Sequence, residues 1–120
     1  IVVRLPKPGE KLVTLDGKLR ALDAEDLLIC DRDRPLALAG VMGGATSEVT
    51  DSTTRVLLEC ATFHPPAVRR TSKRHALHTE SSHRFERGTD IGAVPAVADR
   101  AAQLIAELGG GTVLKGLVDV

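Results

Sequence analysis

One carboxylate stands in the middle of an apolar run that reads VLLECATF, from Val56 to Phe63. The run predicts a buried β-strand, and because side chains alternate between the faces of a strand, Glu59 shares a face with Leu57, Ala61 and Phe63. Moving a charge out of water is costly unless a partner binds it. Two interpretations stay open: a structural ion pair, for instance with Arg84, or a carboxylate that binds a hydroxyl or amine of a ligand inside an apolar pocket.

A second group of side chains has the chemistry of metal ligands without the spacing of a complete site. Its members are Cys60, His64, His75, His78 and His83. The spacings C-x3-H and H-x2-H occur in zinc sites, but no second pair of cysteines completes a tetrahedral set. We therefore expect loop and surface histidines here, and no metal.

The segment Gly40–Gly44 reads GVMGG. It lacks both the Lys-Ser/Thr of a phosphate loop and the spacing of a dinucleotide fingerprint. Glycine allows positive φ and a close approach of the backbone, so the segment predicts a tight turn or the wall of a small-ligand pocket.

A basic face is predicted on the helix that follows His64-Pro65-Pro66. Its members are Arg69, Arg70, Lys73 and Arg74. Such a face could meet a phosphate backbone or could simply be solvated, and no aromatic residues are interleaved for base stacking. No Ser-His-Asp or Cys-His arrangement can be identified from spacing, so a protein nucleophile is weakly supported.

Composition restricts the class of protein. The 120 residues suffice for one domain, 42% are hydrophobic, and Phe63 and Phe85 are the aromatic residues, so we expect an aliphatic core. Lys+Arg and Asp+Glu number 16 each, which excludes a uniformly basic nucleic-acid binder. Cys30 and Cys60 lie in apolar runs and are expected to be reduced and buried.

No apolar run approaches the roughly 20 residues of a membrane span, and no signal peptide is visible. We expect no membrane association and a cytoplasmic location. The sequence starts at Ile1, inside a strand-like run and without an initiator Met, so we expect a piece of a longer protein.

Hydrophobic periodicity and turn residues predict the elements that position these side chains. Strands are predicted over residues 1–5, 11–15, 18–22, 27–31, 36–39, 56–63, 83–88 and 112–120, with a hairpin turn at Asp16-Gly17. Helices are predicted over 67–75 and from Val94 to Leu108, the second capped by Asp90 and stopped by Gly109–Gly111. The order of elements indicates an α+β fold of mixed or antiparallel sheet layers with about two helices.

The blocks AGVMGG, VLLECATF and HTESSHRFERG, in this order and spacing, closely resemble one family. The sequence is similar to the editing domain of the beta subunit of bacterial phenylalanyl-tRNA synthetase. The resemblance extends from RLPKPGEKLVTLDGKLRALDAEDLLICD through the helix that ends at Gly109. It implies that residues 1–120 are a partial editing domain, built as a sheet-and-helix module, which hydrolyses tyrosine wrongly esterified to the phenylalanine tRNA.

The resemblance also assigns residues. Glu59 matches the glutamate that reads the tyrosine hydroxyl, Gly43 and Gly44 line the amino-acid pocket, and Thr79 and Ser81 form the opposite wall. A pocket for phenylalanine cannot strongly reject an isostere with one added hydroxyl, so a second site that rewards the hydroxyl is useful. A carboxylate does this through a charge-assisted hydrogen bond, and phenylalanine would leave it unpaired at a cost of roughly 1–3 kcal/mol.

This sequence departs from the family at two points. The family often has alanine at the position of Ser81, so the added hydroxyl changes the polarity of the pocket. The family's pocket also uses a histidine and other polar residues from a segment upstream of Ile1. The resemblance implies no protein nucleophile: water attacks the ester with help from the ribose hydroxyl of the substrate, and catalysis comes from positioning and oxyanion stabilisation.

The resemblance further implies partners and cofactors. The partners are the 3′ end of tRNA(Phe) carrying tyrosine and the alpha subunit of a synthetase with two alpha and two beta chains. This domain needs no cofactor, whereas the full synthetase uses ATP and magnesium. The alternative is a non-catalytic module that contacts protein or RNA and is inactive as an isolated fragment; a free-standing editing factor is a minor third hypothesis.

Overall fold

The structure is a computed structural model that describes residues 1–119. The chain divides into two units. The first contains Ile1–Thr54 and Thr62–Thr89, and the second contains Arg55–Ala61 and the chain from Asp90 onward.

The first unit contains six short strands. They are β1 (Val2–Arg4), β2 (Lys11–Val13), β3 (Leu19–Ala21), β4 (Leu28–Cys30), β5 (Pro35–Leu38) and β6 (Met42–Gly43). One antiparallel sheet has the order β1-β4-β5-β6, and β2 and β3 form a separate hairpin in which Leu12 lies opposite Arg20. The predicted turn is confirmed, because Gly17 adopts φ +77° between the two strands of the hairpin.

Three helices follow: α1 (Pro65–Arg74) and α2 (Glu80–Phe85) in the first unit, and α3 (Val94–Gly109) in the second. Two single 3₁₀ turns lie at Ala45–Ser47 and Ile91–Ala93. Two prolines occupy the first turn of α1, where no helical N–H is needed, as the sequence predicts. α3 is confirmed too and ends where Gly110 turns left-handed at φ +65°, whereas Asp90 caps the preceding 3₁₀ turn and not the helix itself.

Three predicted strands are wrong. The run 56–63 has no ladder partner among the described residues, residues 83–85 lie in α2 and 86–88 follow it without a strand, and residues 112–119 contain no strand; Val120 lies outside the described residues. Strand propensity forms a strand only where a neighbouring strand offers its backbone, which local sequence does not report. The α+β class with antiparallel sheets is confirmed, with three helices in residues 1–119 where the sequence predicted about two.

The core of the first unit joins β2, β4 and β5 to α1 and the turns that follow β5 and α1. It consists of Leu12, Leu28, Cys30, Leu38, Val41, Val68 and Leu77. Leu28 and Leu38 lie opposite each other on β4 and β5. Phe63 and Phe85 pack against the cluster, and their two rings meet edge-to-face with centroids 4.9 Å apart. Cys30 is buried and carries a free thiol, as predicted.

The second unit is built from α3 and two extended segments. No side chain of α3 is fully buried, and the free thiol of half-buried Cys60 lies 3.7 Å from the Val94 carbonyl oxygen. Large apolar side chains are exposed on both extended segments, among them Leu57 (75% exposed) and Leu114 (84% exposed). None of the described helices is long and apolar enough to cross a membrane.

Candidate functional site

The turn between α1 and α2 is held by backbone geometry and buried hydroxyls. Ala76 adopts φ +51° after the C-cap of α1, and the amide of Leu77 reaches back to the Ser72 carbonyl at 2.9 Å. These are the features of a Schellman ending, which normally uses glycine at the left-handed position. Buried Ser72 and Ser82 both donate hydrogen bonds to the Leu77 carbonyl, at 2.7 Å and 3.3 Å. The segment that follows α1 is therefore fixed in direction.

Thr79 starts α2 through a capping box. Its hydroxyl oxygen accepts a hydrogen bond from the Ser82 amide at 3.0 Å, and Ser82 Oγ accepts one from the Thr79 amide at the same distance. The Thr79 hydroxyl also donates to the Val41 carbonyl at 2.7 Å. This bond joins two motifs that the resemblance places in one pocket, because Val41 lies in AGVMGG and Thr79 in HTESS. Ser81 stands half-buried on the first turn of α2.

The glycine pair lies on and beside β6. The Gly44 amide donates to the Leu36 carbonyl, and a Cβ at Gly44 would stand 2.7 Å from that oxygen. A Cβ at Gly43 would stand 3.1 Å from Leu15 Cδ1. Glycine at both positions therefore lets the chain at Leu15 and Leu36 approach β6 closely. The tight turn predicted for this segment lies just before β6, where Gly40 adopts φ +68°.

Glu59 belongs to the second unit, in its extended segment. Glu59 makes no ion pair within the described part of that unit, and Arg84, named above as a structural partner, pairs with Glu80 at 2.9 Å. The residue as a whole is exposed, yet protein around the carboxyl restricts its hydration, and this partial burial raises the pKa of Glu59. Such a carboxylate gains stability from any hydrogen-bond donor that reaches it.

The four basic residues of α1 divide into two classes. Arg69, Arg70 and Lys73 are exposed, with only a long contact of 3.8 Å between Arg70 and Glu25. Arg74 is instead surrounded by carboxylates and bonds Asp26 at 2.6 Å. It also lies 3.3 Å from Asp23 and 2.8 Å from Glu25. Arg74 therefore anchors α1, and three cations remain available on this face.

Asp26 is the buried charge that sequence reasoning missed. One oxygen accepts from Arg74 and from the Thr71 hydroxyl, and the other accepts from His75 Nε2 at 2.7 Å and from the Asp23 amide at 2.8 Å. Burial by itself raises the pKa of Asp26, but these hydrogen bonds, led by that from His75, outweigh it and leave the pKa below its usual value. No local pattern marks Asp26, since its side-chain partners Thr71, Arg74 and His75 lie on the last turn and C-cap of α1.

The four histidines weighed as metal ligands have separate environments. His75 binds Asp26, His64 is the N-cap of α1, and His78 and His83 are exposed. Across residues 1–119 no three His, Cys, Asp or Glu side chains come close enough to hold a metal ion.

Arg20 on β3 is the second residue that the sequence did not single out. Its guanidinium donates to the Thr14 hydroxyl at 2.9 Å, to the His75 carbonyl at 2.8 Å and to the Asp16 carboxylate at 2.6 Å. The charge thereby caps the C-terminal end of α1, where helix carbonyls lack partners. The alternation of polar Thr14 and Arg20 with apolar neighbours in the hairpin was the available signal.

Comparison with known proteins adds a family. The model of the B3/4 domain matches residues 1–110. The chain is 63% identical over 119 residues to the phenylalanine--tRNA ligase beta subunit of Anaeromyxobacter dehalogenans and 59% identical over 120 residues to that of Geobacter sulfurreducens. It is 50% identical over 120 residues to that of Thermobifida fusca. These alignments cover 99–100% of the chain, which spans only 14–15% of the length of these curated relatives.

Proposed function

The chain belongs to the B3/4 domain family, and on this premise we propose that it is the editing part of a phenylalanine--tRNA ligase beta subunit. In this role it hydrolyses the ester of a tRNA(Phe) that carries tyrosine in place of phenylalanine. The observation that carries the proposal is Glu59: a carboxylate in an apolar segment, without an ion pair in its own described unit, whose pKa is raised by burial.

Glu59 selects tyrosine through the phenol. The tyrosine O–H donates a hydrogen bond to the carboxylate and replaces the water that burial has removed. Phenylalanine brings no donor, so its binding removes water from Glu59 without compensation, at a cost of roughly 1–3 kcal/mol. The same carboxylate therefore favours tyrosine and disfavours phenylalanine, as a second site that removes mischarged tyrosine requires.

The resemblance assigns Gly43, Gly44, Thr79 and Ser81 to the walls of the amino-acid site. Gly43 and Gly44 offer backbone without side chains, and the start of α2 offers Thr79 and Ser81. The bond between the Thr79 hydroxyl and the Val41 carbonyl supports this assignment, because it holds the two motifs side by side. The Thr79 hydroxyl is already engaged with protein groups, so its contribution is to shape the wall, while the Ser81 hydroxyl adds polarity.

Hydrolysis follows without a protein nucleophile. The oxygen of water bonds to the ester carbonyl carbon, and the bond from that carbon to the ribose oxygen breaks. The proton of the water passes to the departing ribose oxygen with help from the adjacent ribose hydroxyl. The chain contributes orientation of the ester and of the attacking water. This step needs no cofactor; ATP and magnesium serve amino-acid activation elsewhere in the two-alpha, two-beta synthetase.

Substitution of Glu59 in the full synthetase tests the proposal. We expect Glu59→Ala to lower the ratio of kcat/KM for Tyr-tRNA(Phe) over Phe-tRNA(Phe) deacylation by about 10-fold or more, since a hydrogen bond to a charged group contributes roughly 1.5–3 kcal/mol. Glu59→Gln, which keeps an acceptor oxygen without the charge, should give an intermediate loss.

The matched control is Glu107→Gln on α3, whose exposed carboxylate accepts a hydrogen bond from Gln103. It should leave the ratio unchanged. If Glu59→Ala discriminates as well as the unaltered enzyme, Glu59 does not read the hydroxyl.

A non-catalytic role is the second candidate, and the exposed apolar side chains of the second unit favour it. In this version the chain packs against other parts of the synthetase and contributes no chemistry by itself. The full synthetase and the 120-residue chain would be compared for Tyr-tRNA(Phe) deacylation. Turnover by the chain above the rate in buffer would reject the second candidate.

A further inference from the structure

We propose that Arg20 is a positioning residue for this site: it sets the spacing between the glycine wall at Gly43–Gly44 and the wall at the start of α2. The inference rests on the proposed function for its consequence, but its geometry stands on contacts within the first unit. The Arg20 side chain is 11% exposed, so its hydrogen bonds form largely out of water.

On one side Arg20 controls the glycine wall through Thr14. Arg20 Nε donates to Thr14 Oγ1, and Thr14 is fully buried. The backbone of Thr14 forms an antiparallel bridge with Gly44, and the next amide, that of Leu15, donates to the Gly43 carbonyl at 3.0 Å. A displacement of Thr14 therefore displaces the backbone of both glycines.

On the other side Arg20 controls the turn that leads into α2. Arg20 Nη1 donates to the carbonyl of His75, the C-cap of α1, directly before the left-handed residue Ala76. Leu77 is buried, so the chain runs from this fixed carbonyl to Thr79 with little freedom. The remaining nitrogen, Nη2, donates to the Asp16 carboxylate at 2.6 Å, and this bond fixes the orientation of the guanidinium.

These contacts close a ring. Arg20 joins Thr14 and His75, Thr14 pairs with Gly44, and the Thr79 hydroxyl bonds the Val41 carbonyl three residues before Gly44. Arginine suits this position because its rigid, planar guanidinium donates hydrogen bonds in several directions at once, whereas lysine has one compact ammonium group. Arg20→Lys keeps the charge and removes the guanidinium.

The test uses the full synthetase with Arg20→Lys. We expect the ratio of kcat/KM for Tyr-tRNA(Phe) over Phe-tRNA(Phe) deacylation to fall by about 10-fold or more, since a misplacement of about 1 Å can cost 10²-fold. A role in stability alone would lower the amount of active enzyme and both rates together, and would leave the ratio unchanged. Aminoacylation with phenylalanine reports on the assembly of the enzyme.

Arg34→Lys is the matched control, because the Arg34 side chain is 59% exposed and makes one ion pair, 3.4 Å from Asp31. It should keep the ratio of the unaltered enzyme. If Arg20→Lys does not fold, Asp16→Asn is the second variant, because it keeps Arg20 but removes the charged partner of its guanidinium. It should lower the same ratio by a smaller factor.

Amide hydrogen exchange in the same variants separates this inference from the proposed function. We expect faster exchange at the amides of Gly44 and Leu77 in Arg20→Lys, whatever the enzyme hydrolyses. Unchanged exchange at both amides, or an unchanged ratio, would overturn the positioning role. Failure of the unaltered synthetase to deacylate Tyr-tRNA(Phe) would reject the editing function and, with it, the consequence assigned to Arg20.

Discussion

At Gly40 the backbone adopts φ +68°, and the place where a Cβ would stand is 2.9 Å from Phe63 Cδ2 and 3.1 Å from Val68 Cγ2. Two independent requirements thus fix glycine at one residue: a left-handed backbone and the close packing of α1 and Phe63 on the turn. Gly17 has the first requirement alone, since its φ is +77° and no atom lies within 4 Å of the Cβ position. A comparison of Gly17 with Gly40 therefore separates the cost of the left-handed backbone from the cost of steric crowding.

Alanine at these two positions should therefore have unequal effects. Gly17→Ala is expected to cost about 1–2 kcal/mol of unfolding free energy through the left-handed backbone. Gly40→Ala adds the cost of overpacking, about 1–3 kcal/mol more. Urea unfolding of the 120-residue chain measures both, and equal losses would contradict the crowding at Phe63.

Stability should depend on pH through Glu10. The two bonds from Arg4, each 2.7 Å, lower the pKa of Glu10 to about 2 from the ordinary 4.5. Because the folded pKa is lower, the contribution of Glu10 is complete above the ordinary pKa and is lost as pH falls from 4.5 towards 2.

Urea unfolding from about pH 6 to about pH 2 would show this loss. Glu10→Gln should be less stable at neutral pH and should lose less stability on acidification. Glu80→Gln, which alters a surface ion pair, should follow the unaltered chain. Parallel curves for Glu10→Gln and the unaltered chain would exclude this role of Glu10.

At the scale of elements, α1 combines two functions on one helix. Arg74 and His75, at its end, bind Asp26 in the turn before β4, while Arg69, Arg70 and Lys73 remain in water. The sequence leaves open a phosphate-backbone contact for all four basic residues, as a possible site of tRNA contact, and this is restated for three, since Arg74 would have to leave its carboxylates. A tRNA contact at the other three stays a prediction.

Matched charge removals test this division in the full synthetase. Arg69→Gln with Lys73→Gln should weaken tRNA binding and lower the slope of log affinity against log salt by about 1 for every phosphate that the variant no longer neutralises. Arg74→Gln should instead lower stability by about 1–3 kcal/mol, because Asp26 loses one of its donors. Lys18→Gln serves as a control for net charge, and an equal slope in it and in the double variant would contradict binding of tRNA by this face.

At the scale of the whole molecule, the two units differ in how their backbones are paired. The strands of the first unit bond one another, whereas the extended segments around Leu57 and Leu114 have no ladder within the described residues. Their apolar side chains are exposed, which is uncommon in a stable strand of a soluble protein.

Hydrogen exchange on the 120-residue chain reports this difference directly. Amides of β4 and β5 should exchange slowest, because they open only with the core. Amides of Leu57 and Leu114 should exchange fast, since no described backbone carbonyl accepts from them. Strong protection at both residues would show instead that these segments pair as strands, as the sequence predicts.

By itself, the sequence determined the local features: the Asp16-Gly17 hairpin, the proline-led start of α1, the stop of α3 and the aliphatic core of Leu28 and its neighbours. Each follows from residues a few positions apart, whose preferences act without distant partners. The family could also be recognised from the sequence, because the resemblance depends on the order and spacing of three motifs.

Only the tertiary structure decided the rest. VLLECATF carries strand propensity but has no partner strand among the described residues, and residues 83–85 are helical because Thr79 and Ser82 cap α2. Asp26 and Arg20 acquired their roles from α1, residues 71–75, far along the chain. The pairing of strands, the burial of the Asp26 charge and the spacing that Arg20 sets all depend on contacts between segments distant in sequence. Such contacts form only when the chain folds, so neighbouring residues do not report them.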